Sequence, residues 1–329
     1  MNGQERFEYY LRDLELLLQQ AGKQRNPGLF LYRKKARNIL FMLEGLAKLY
    51  AQLHNSKRFS KMKAQFKLLE DILGAIDYYD TLATELSENS RIDASLIRYF
   101  QGQMREKVQQ LNDILEEKGW MGPVPRRLLK IRSKLADANW MPAAKEVLAF
   151  KEAYDAFIYE IVEVIHSPQL RFEHMETDVH ELRRKLRWLS IYPHALRGAI
   201  QLQDVSGLTS GLKIYQTPAV LSSPFIRFPE ALAGSPVLFL QQPSFYALSW
   251  MIEALGTLKD AGLRVEALRE ALLAVHDLEG ELADKRIYRM LGKKQELLPD
   301  LLQEASKITR VFFGKNVLEQ LIAGVGTAP

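Results

Sequence analysis

The stretch His180-Glu181-Leu182-Arg183-Arg184-Lys185-Leu186-Arg187-Trp188-Leu189 holds two patterns at once. Leu182, Leu186 and Leu189 recur at steps of four and three, which is the apolar stripe of an α-helix packed on a core. His180, Arg183, Arg184 and Arg187 stand at offsets 0, 3, 4 and 7, so they share an adjoining face of the same helix. The helix is therefore expected to be cored on one side and cationic on the other.

The same period runs through most of the chain. Helices are expected at about 5–20, 29–54, 61–88 and 92–117, joined by the short breaks Asn26-Pro27-Gly28, Asn55-Ser56 and Asn89-Ser90. The stretch 119–125, rich in Gly and Pro, reads as a linker, and a short basic helix follows at 126–136. Further helices are expected at 143–165, at 172–202 with a kink or division at Pro193, and at 246–259, 265–278, 281–291 and 298–323. Residues 324–329 read as a frayed tail. The segment 205–242 departs from the pattern: Pro224, Pro229 and Pro236 join Gly207, Gly211 and Gly234. Two strand-like runs, 212–217 and 237–240, hint at a hairpin there. The expected fold is all-α, organised as a first helical half (1–122), a linker with the short basic helix (123–142) and a second half (143–329) carrying the irregular insertion 205–242.

The two halves show a faint internal repeat. Leu69-Glu70-Asp71-Ile72-Leu73-Gly74-Ala75-Ile76-Asp77 resembles Ile252-Glu253-Ala254-Leu255-Gly256-Thr257-Leu258-Lys259-Asp260. Each follows a basic helix, the first beginning near Arg33 and the second near Arg183.

Charge is distributed unevenly. The formal net charge is +5, yet residues 23–67 hold twelve bases and one acid, Glu44, whereas residues 68–118 hold eleven acids and five bases. Like charges along a helix repel by a few tenths of a kcal/mol per close pair, roughly, so acidic helices or a bound anion must offset them. Arg33 and Arg37, with Lys34 alongside, repeat the i,i+4 spacing of the second half. Lys130 and Lys134 are candidates to widen the basic face, as, more weakly, are Arg286, Arg289, Lys293, Lys294, Lys307, Arg310 and Lys315. Arginine offers a planar fork that fits phosphate oxygens, and lysine a mobile point charge.

Other chemistry is excluded or lacks its residues. With no cysteine there is no disulfide, thiolate nucleophile or cysteine-ligated metal. No P-loop and no His-Glu-x-x-His motif occurs, and no set of metal-binding residues is evident, so no cofactor, metal or catalytic residue is expected. Asp77 and Asp80 could share a magnesium, but such a pair is more often a surface feature. The first residues have no apolar run like that of a secretory signal, and the most apolar stretch, 236–248, is too short to cross a membrane. A cytoplasmic protein without a membrane partner is the expectation.

In order and motif the chain resembles the CHAD family, the conserved-histidine α-helical domains. His180-Glu181-Leu182-Arg183-Arg184-Lys185-Leu186-Arg187 is similar to the family's His-x-x-Arg-x-x-x-Arg opening helix. Phe30-Leu31-Tyr32-Arg33-Lys34-Lys35-Ala36-Arg37 is its first-half counterpart, with Phe30 in place of the histidine. Leu73-Gly74 with Asp77 and Asp80, and Leu255-Gly256 with Asp260, resemble the family's second motif. The resemblance implies two antiparallel helical bundles related by a pseudo-twofold axis, with a basic groove between them. It also implies binding of inorganic polyphosphate or a similar phosphate-rich anion without hydrolysis, through Arg33, Lys34, Arg37, His180, Arg183, Arg184 and Arg187. Nucleic acid, held through its phosphates with Tyr32 or Trp188 stacking on bases, is the alternative partner, and an adaptor without a small ligand is another.

Overall fold

The computed structural model describes residues 1–122, 124–167, 171–205, 210–292 and 295–329. Lys293, Lys294 and Gly207 lie outside the described residues.

Local signals start the helices. In α1 (Gly3–Ala21), Asn2 Oδ1 accepts from the Glu5 amide at 3.0 Å and Glu5 Oε2 accepts from the Asn2 amide at 2.8 Å, a reciprocal cap that satisfies two otherwise orphaned donors. Phe7, Leu11, Leu14 and Leu18 form its buried stripe. Asn26 caps α2 (Pro27–Arg33), and Asn55 caps α4 (Ser56–Ser87). Between them lies α3 (Ala36–Leu53), and α5 (Ala94–Glu117) follows. The single helix expected at 29–54 is thus two. Lys35 adopts a left-handed conformation, φ 54°, which breaks the helical path just before Ala36.

The expected linker is not a free tether. Trp120 is 1% exposed and packs on Phe66, and α6 (Arg126–Ala136) lies against α1. Next come α7 (Ala143–His166), a π-helical turn (Met175–His180) and α8 (Glu181–Ala195). Pro193 does not divide a helix in its middle; it sits inside the last turn of α8, which ends two residues later at Ala195. The amide it lacks would have bonded to the carbonyl of Leu189, and Tyr154 Oη on α7 donates to that carbonyl instead, at 3.1 Å.

Beyond α8 the structure corrects the all-α expectation. β1 (Ile200–Gln203) replaces the end of the predicted 172–202 helix. β2 (Pro236–Gln241) pairs with it in parallel and, on its other side, antiparallel with β3 (Ile322–Thr327). The 212–217 run is not a strand partner, since Ser210–Tyr215 is a 3₁₀ turn, followed by α9 (Pro218–Ser222). Nor is the C-terminus frayed: β3 occupies it, and the Ala328 amide donates to the Ser235 carbonyl at 2.9 Å. The cause is burial. Val237, Leu238 and Leu240 are fully buried, so the backbone of β2 needs hydrogen-bond partners, and only segments distant in sequence reach it.

The remaining helices are α10 (Gln242–His276), α11 (Gly280–Leu291) and α12 (Leu298–Phe313). Two expected helices merge in α10. Gly262, between them, leaves room for Met175, whose Cγ would lie 2.4 Å from an added Cβ. The expected 298–323 helix stops at Phe313. The result is a predominantly helical fold with one small three-stranded sheet.

One hydrophobic cluster unites buried residues of α1, α3 and α4 with those of α7, α8, α10 and α12. A smaller one, including Leu86, Phe100, Leu272 and Ile287, fills the end where α4, α5, α10 and α11 meet. A buried polar staple crosses the main cluster. Arg6 Nη1 donates to Glu146 Oε2 at 2.5 Å and to Tyr50 Oη at 2.8 Å, while Tyr50 Oη donates to Glu146 Oε1 at 2.6 Å. Arg6 Nε donates to the Leu196 carbonyl, at 2.9 Å, tying α1 to the turn after α8.

Candidate functional site: an arginine cluster between two helices

The crossing of α3 and α8 is close because Gly45 has no side chain: an added Cβ would lie 3.2 Å from Ile191 Cγ2. One turn earlier on α3 is Phe41. The Arg187 guanidinium of α8 sits 4.3 Å from its ring centroid, and that of Arg37 sits 5.1 Å away. The aromatic face thus lies against two guanidinium groups from opposite halves of the chain.

Arg37 and Arg183 each lie over a glycine. An added Cβ at Gly74 would come within 2.5 Å of Arg37 Nη2, and one at Gly256 within 3.0 Å of Arg183 Nε. The settings then diverge. Arg37 Nε donates to Glu70 Oε1 at 2.7 Å and its Nη1 to Asp77 Oδ2 at 3.4 Å. Arg183 Nε donates to the neutral Ile252 carbonyl at 3.1 Å, and the nearby Asp260 pairs with Lys259 at 2.5 Å. Arg187 makes no ion pair among the described residues. Burial holds its pKa down to about 10, with Arg183 and Arg37 adding repulsion and Glu70 opposing. Arg183 is also lowered, chiefly by burial, with Asp260 opposing and Arg37 reinforcing.

The other residues expected to bind are placed as follows. His180 ends the π-helical turn, its Nδ1 2.8 Å from Glu176 Oε2, and that hydrogen bond holds Glu176 below the ordinary carboxylate range. Arg184 is exposed and pairs with Glu181 at 2.9 Å. Arg33 and Lys34 are exposed at the end of α2, and Lys34 Nζ lies 5.8 Å from the Phe30 ring centroid. The break at Lys35 puts Arg33 and Arg37 on different helices, so they do not share one helical face as their spacing implied. Lys130 and Lys134 are exposed on α6 and make no ion pair, hydrogen bond or ring contact with the cluster; the Lys134 carbonyl accepts from Arg58. Of the weaker candidates, Lys307 pairs with Glu304, Arg286 with Asp93, and Lys315 lies over Tyr215.

Several residues of the site escaped sequence reasoning. Phe41 and Glu70 are among them, as are Glu44 and Lys48 farther along α3. Glu44 is 3% exposed, and burial followed by the nearby Glu70 pushes its carboxyl up to about 7. Lys48 Nζ lies 4.7 Å from the centroids of both Phe157 and Trp188, and burial followed by Lys63 holds it down to about 8. The Leu-Gly repeat was the usable signal: it picks out Gly74 and Gly256, the two glycines that lie under Arg37 and Arg183.

Two open hollows lie elsewhere, one lined by Glu85, Asn89 and Arg264 and one by Gln4, Glu8 and Arg132. Among the described residues no group of three or more His, Asp or Glu is arranged to hold a metal, and no helix is long and apolar enough to cross a membrane. Chemically, the α3–α8 crossing offers donors in forked geometry, partly desolvated and short of counter-charge, which suits oxyanions. Comparisons with family models, with curated proteins and with solved structures find no match to this chain.

Proposed function

We propose that this protein binds inorganic polyphosphate, or a similar phosphate-rich anion, without hydrolysing it, and that the α3–α8 crossing is the floor of its binding groove. The observation that carries this is the state of Arg183 and Arg187: two guanidinium groups held half-buried, side by side, with no carboxylate bonded to either. Partly desolvated cations without a partner cost stability, and an anion bridging them removes that cost. Polyphosphate brings regularly spaced charge that a run of arginines can follow.

We further propose that the two halves are related by a pseudo-twofold axis, as the resemblance of the motifs to the CHAD family implies. Under the register that matches Arg37 with Arg183, Lys34 matches His180, and each contacts the residue four earlier, Phe30 and Glu176 respectively. In that register Phe41 matches Arg187 and Gly45 matches Ile191, and both matched pairs are in direct contact. Equivalent positions meeting each other is what a twofold axis between α3 and α8 requires.

The test is retention of long-chain polyphosphate by the purified protein over a series of salt concentrations. Retention should fall steeply with salt, and Arg183→Glu/Arg187→Glu should abolish it. Absence of binding by the unaltered protein would overturn the proposal. Nucleic acid of equal charge is the competitor: displacement as effective as by polyphosphate itself would reassign the groove to nucleic acid.

A further inference from the structure

Lys48 is the residue of the crossing that the arginine cluster does not use. It lies seven residues beyond Phe41 on α3, about 10 Å along the same helical face. Its ammonium is wedged between Phe157 of α7 and Trp188 of α8, and it makes no ion pair among the described residues. Four charged groups face it: Glu44 on α3, Lys63 on α4, Glu160 on α7 and Arg184 on α8. Neither carboxylate serves it as a partner. Glu160 is 3.4 Å from Lys185, and the buried Glu44 makes no hydrogen bond among the described residues. Lys63 is half-buried and has no ion pair among the described residues.

We infer that Lys48, with Lys63 and Arg184, forms a second anion subsite continuous with the arginine cluster, and that filling it loads a proton onto Lys48. This rests on the anion-binding reading of the cluster and specifies its ligand. Subsites about 10 Å apart select a linear anion with several successive charges over orthophosphate, which can fill only one of them.

The proton follows from electrostatics. Burial and two neighbouring cations oppose the charged form of Lys48 in the empty groove. A phosphate beside it reverses that balance, so at pH values above about 8 the amine takes a proton from solvent as the anion arrives. The aromatic walls then hold the ammonium by their faces, leaving N–H donors for the phosphate oxygens.

The experiment is calorimetric titration with long-chain polyphosphate at about pH 8.5, just above the Lys48 pKa, in two buffers of different ionisation enthalpy. Internal phosphates of the chain keep their charge there, so proton uptake reports the protein. The unaltered protein should take up as much as about one proton per site. Lys48→Met should bind about tenfold more weakly, the loss of roughly one charge-assisted hydrogen bond, and take up none. Lys48→Arg, which keeps the charge and cannot titrate, should retain affinity while losing the uptake; it also covers the case in which Lys48→Met fails to fold. Lys63→Met should weaken binding and reduce the uptake, because it removes the neighbouring cation that opposes the charged form of Lys48.

Uptake and affinity unchanged in both Lys48 variants would overturn the subsite. If binding still disappears in Arg183→Glu/Arg187→Glu, the cluster survives that result and only the subsite falls. No binding by the unaltered protein removes both.

Discussion

The two glycine cradles are built alike and charged differently. At Gly74 the covering arginine is answered by Glu70 and Asp77 of the same helix, so Arg37 is nearly neutralised inside the fold. At Gly256 the covering arginine meets a peptide carbonyl, and the nearest acid, Asp260, is already engaged by Lys259. The lesson is that a cationic sequence motif does not itself make an anion site. What matters is whether the fold supplies counter-charge. Aligned on the two glycines, Glu70 stands where the second half has Ile252 and Asp77 where it has Lys259, and those two differences leave Arg183, with Arg187 beside it, without a bonded carboxylate.

Charge reversal one arginine at a time should break the comparison most sharply. Arg183→Glu or Arg187→Glu should each weaken polyphosphate binding by about a hundredfold, roughly 3 kcal/mol, and Arg37→Glu by much less, as read by titration at fixed salt. Equal losses at the three positions would mean the carboxylates of α4 do not shield Arg37.

Glu44 sharpens it through pH. Its folded pKa, raised to about 7, lies above its unfolded value, so its contribution to stability is complete in acid and is lost as pH rises through about 7. Glu44→Gln should therefore be more stable than the unaltered protein by about 2 kcal/mol at pH values above 7 and lose that advantage below pH 4.5, followed by urea unfolding. A difference independent of pH would show that Glu44 is ionised throughout.

The smallest expected effect is a gain. Glu70→Gln keeps a hydrogen-bond acceptor for Arg37 and removes one negative charge from the floor, so polyphosphate should bind about fivefold more tightly, about 1 kcal/mol. Weaker binding by this variant would mean that Glu70 positions Arg37 and does not compete for it.

The helices and the breaks between them were legible because their causes are local. The Asn55-Ser56 break and the Leu182–Leu186–Leu189 stripe each depend on residues within about two turns of one another. The Leu-Gly repeat was legible too, and both glycines lie under arginines. What the spacing misjudged was the shared helical face of Arg33 and Arg37. Arg33 and Arg37 were grouped by spacing, whereas the left-handed Lys35 parts them, and nothing at a non-glycine residue announces a positive φ. The sheet was missed for a related reason. β1, β2 and β3 come from segments far apart in the chain, and in a periodic pattern the end of a helix and a buried strand look the same.

What the sequence by itself determined is the helical period, the concentration of positive charge in 23–67 and 180–187, and the absence of any thiol chemistry. Tertiary structure decided which of those charges meet. Gly45 lets α8 approach α3, Phe41 receives Arg187, and Glu70 claims Arg37. These are contacts between residues dozens to more than a hundred positions apart, chosen by burial and electrostatics in the packed molecule, and no local pattern encodes which partner each arginine finds.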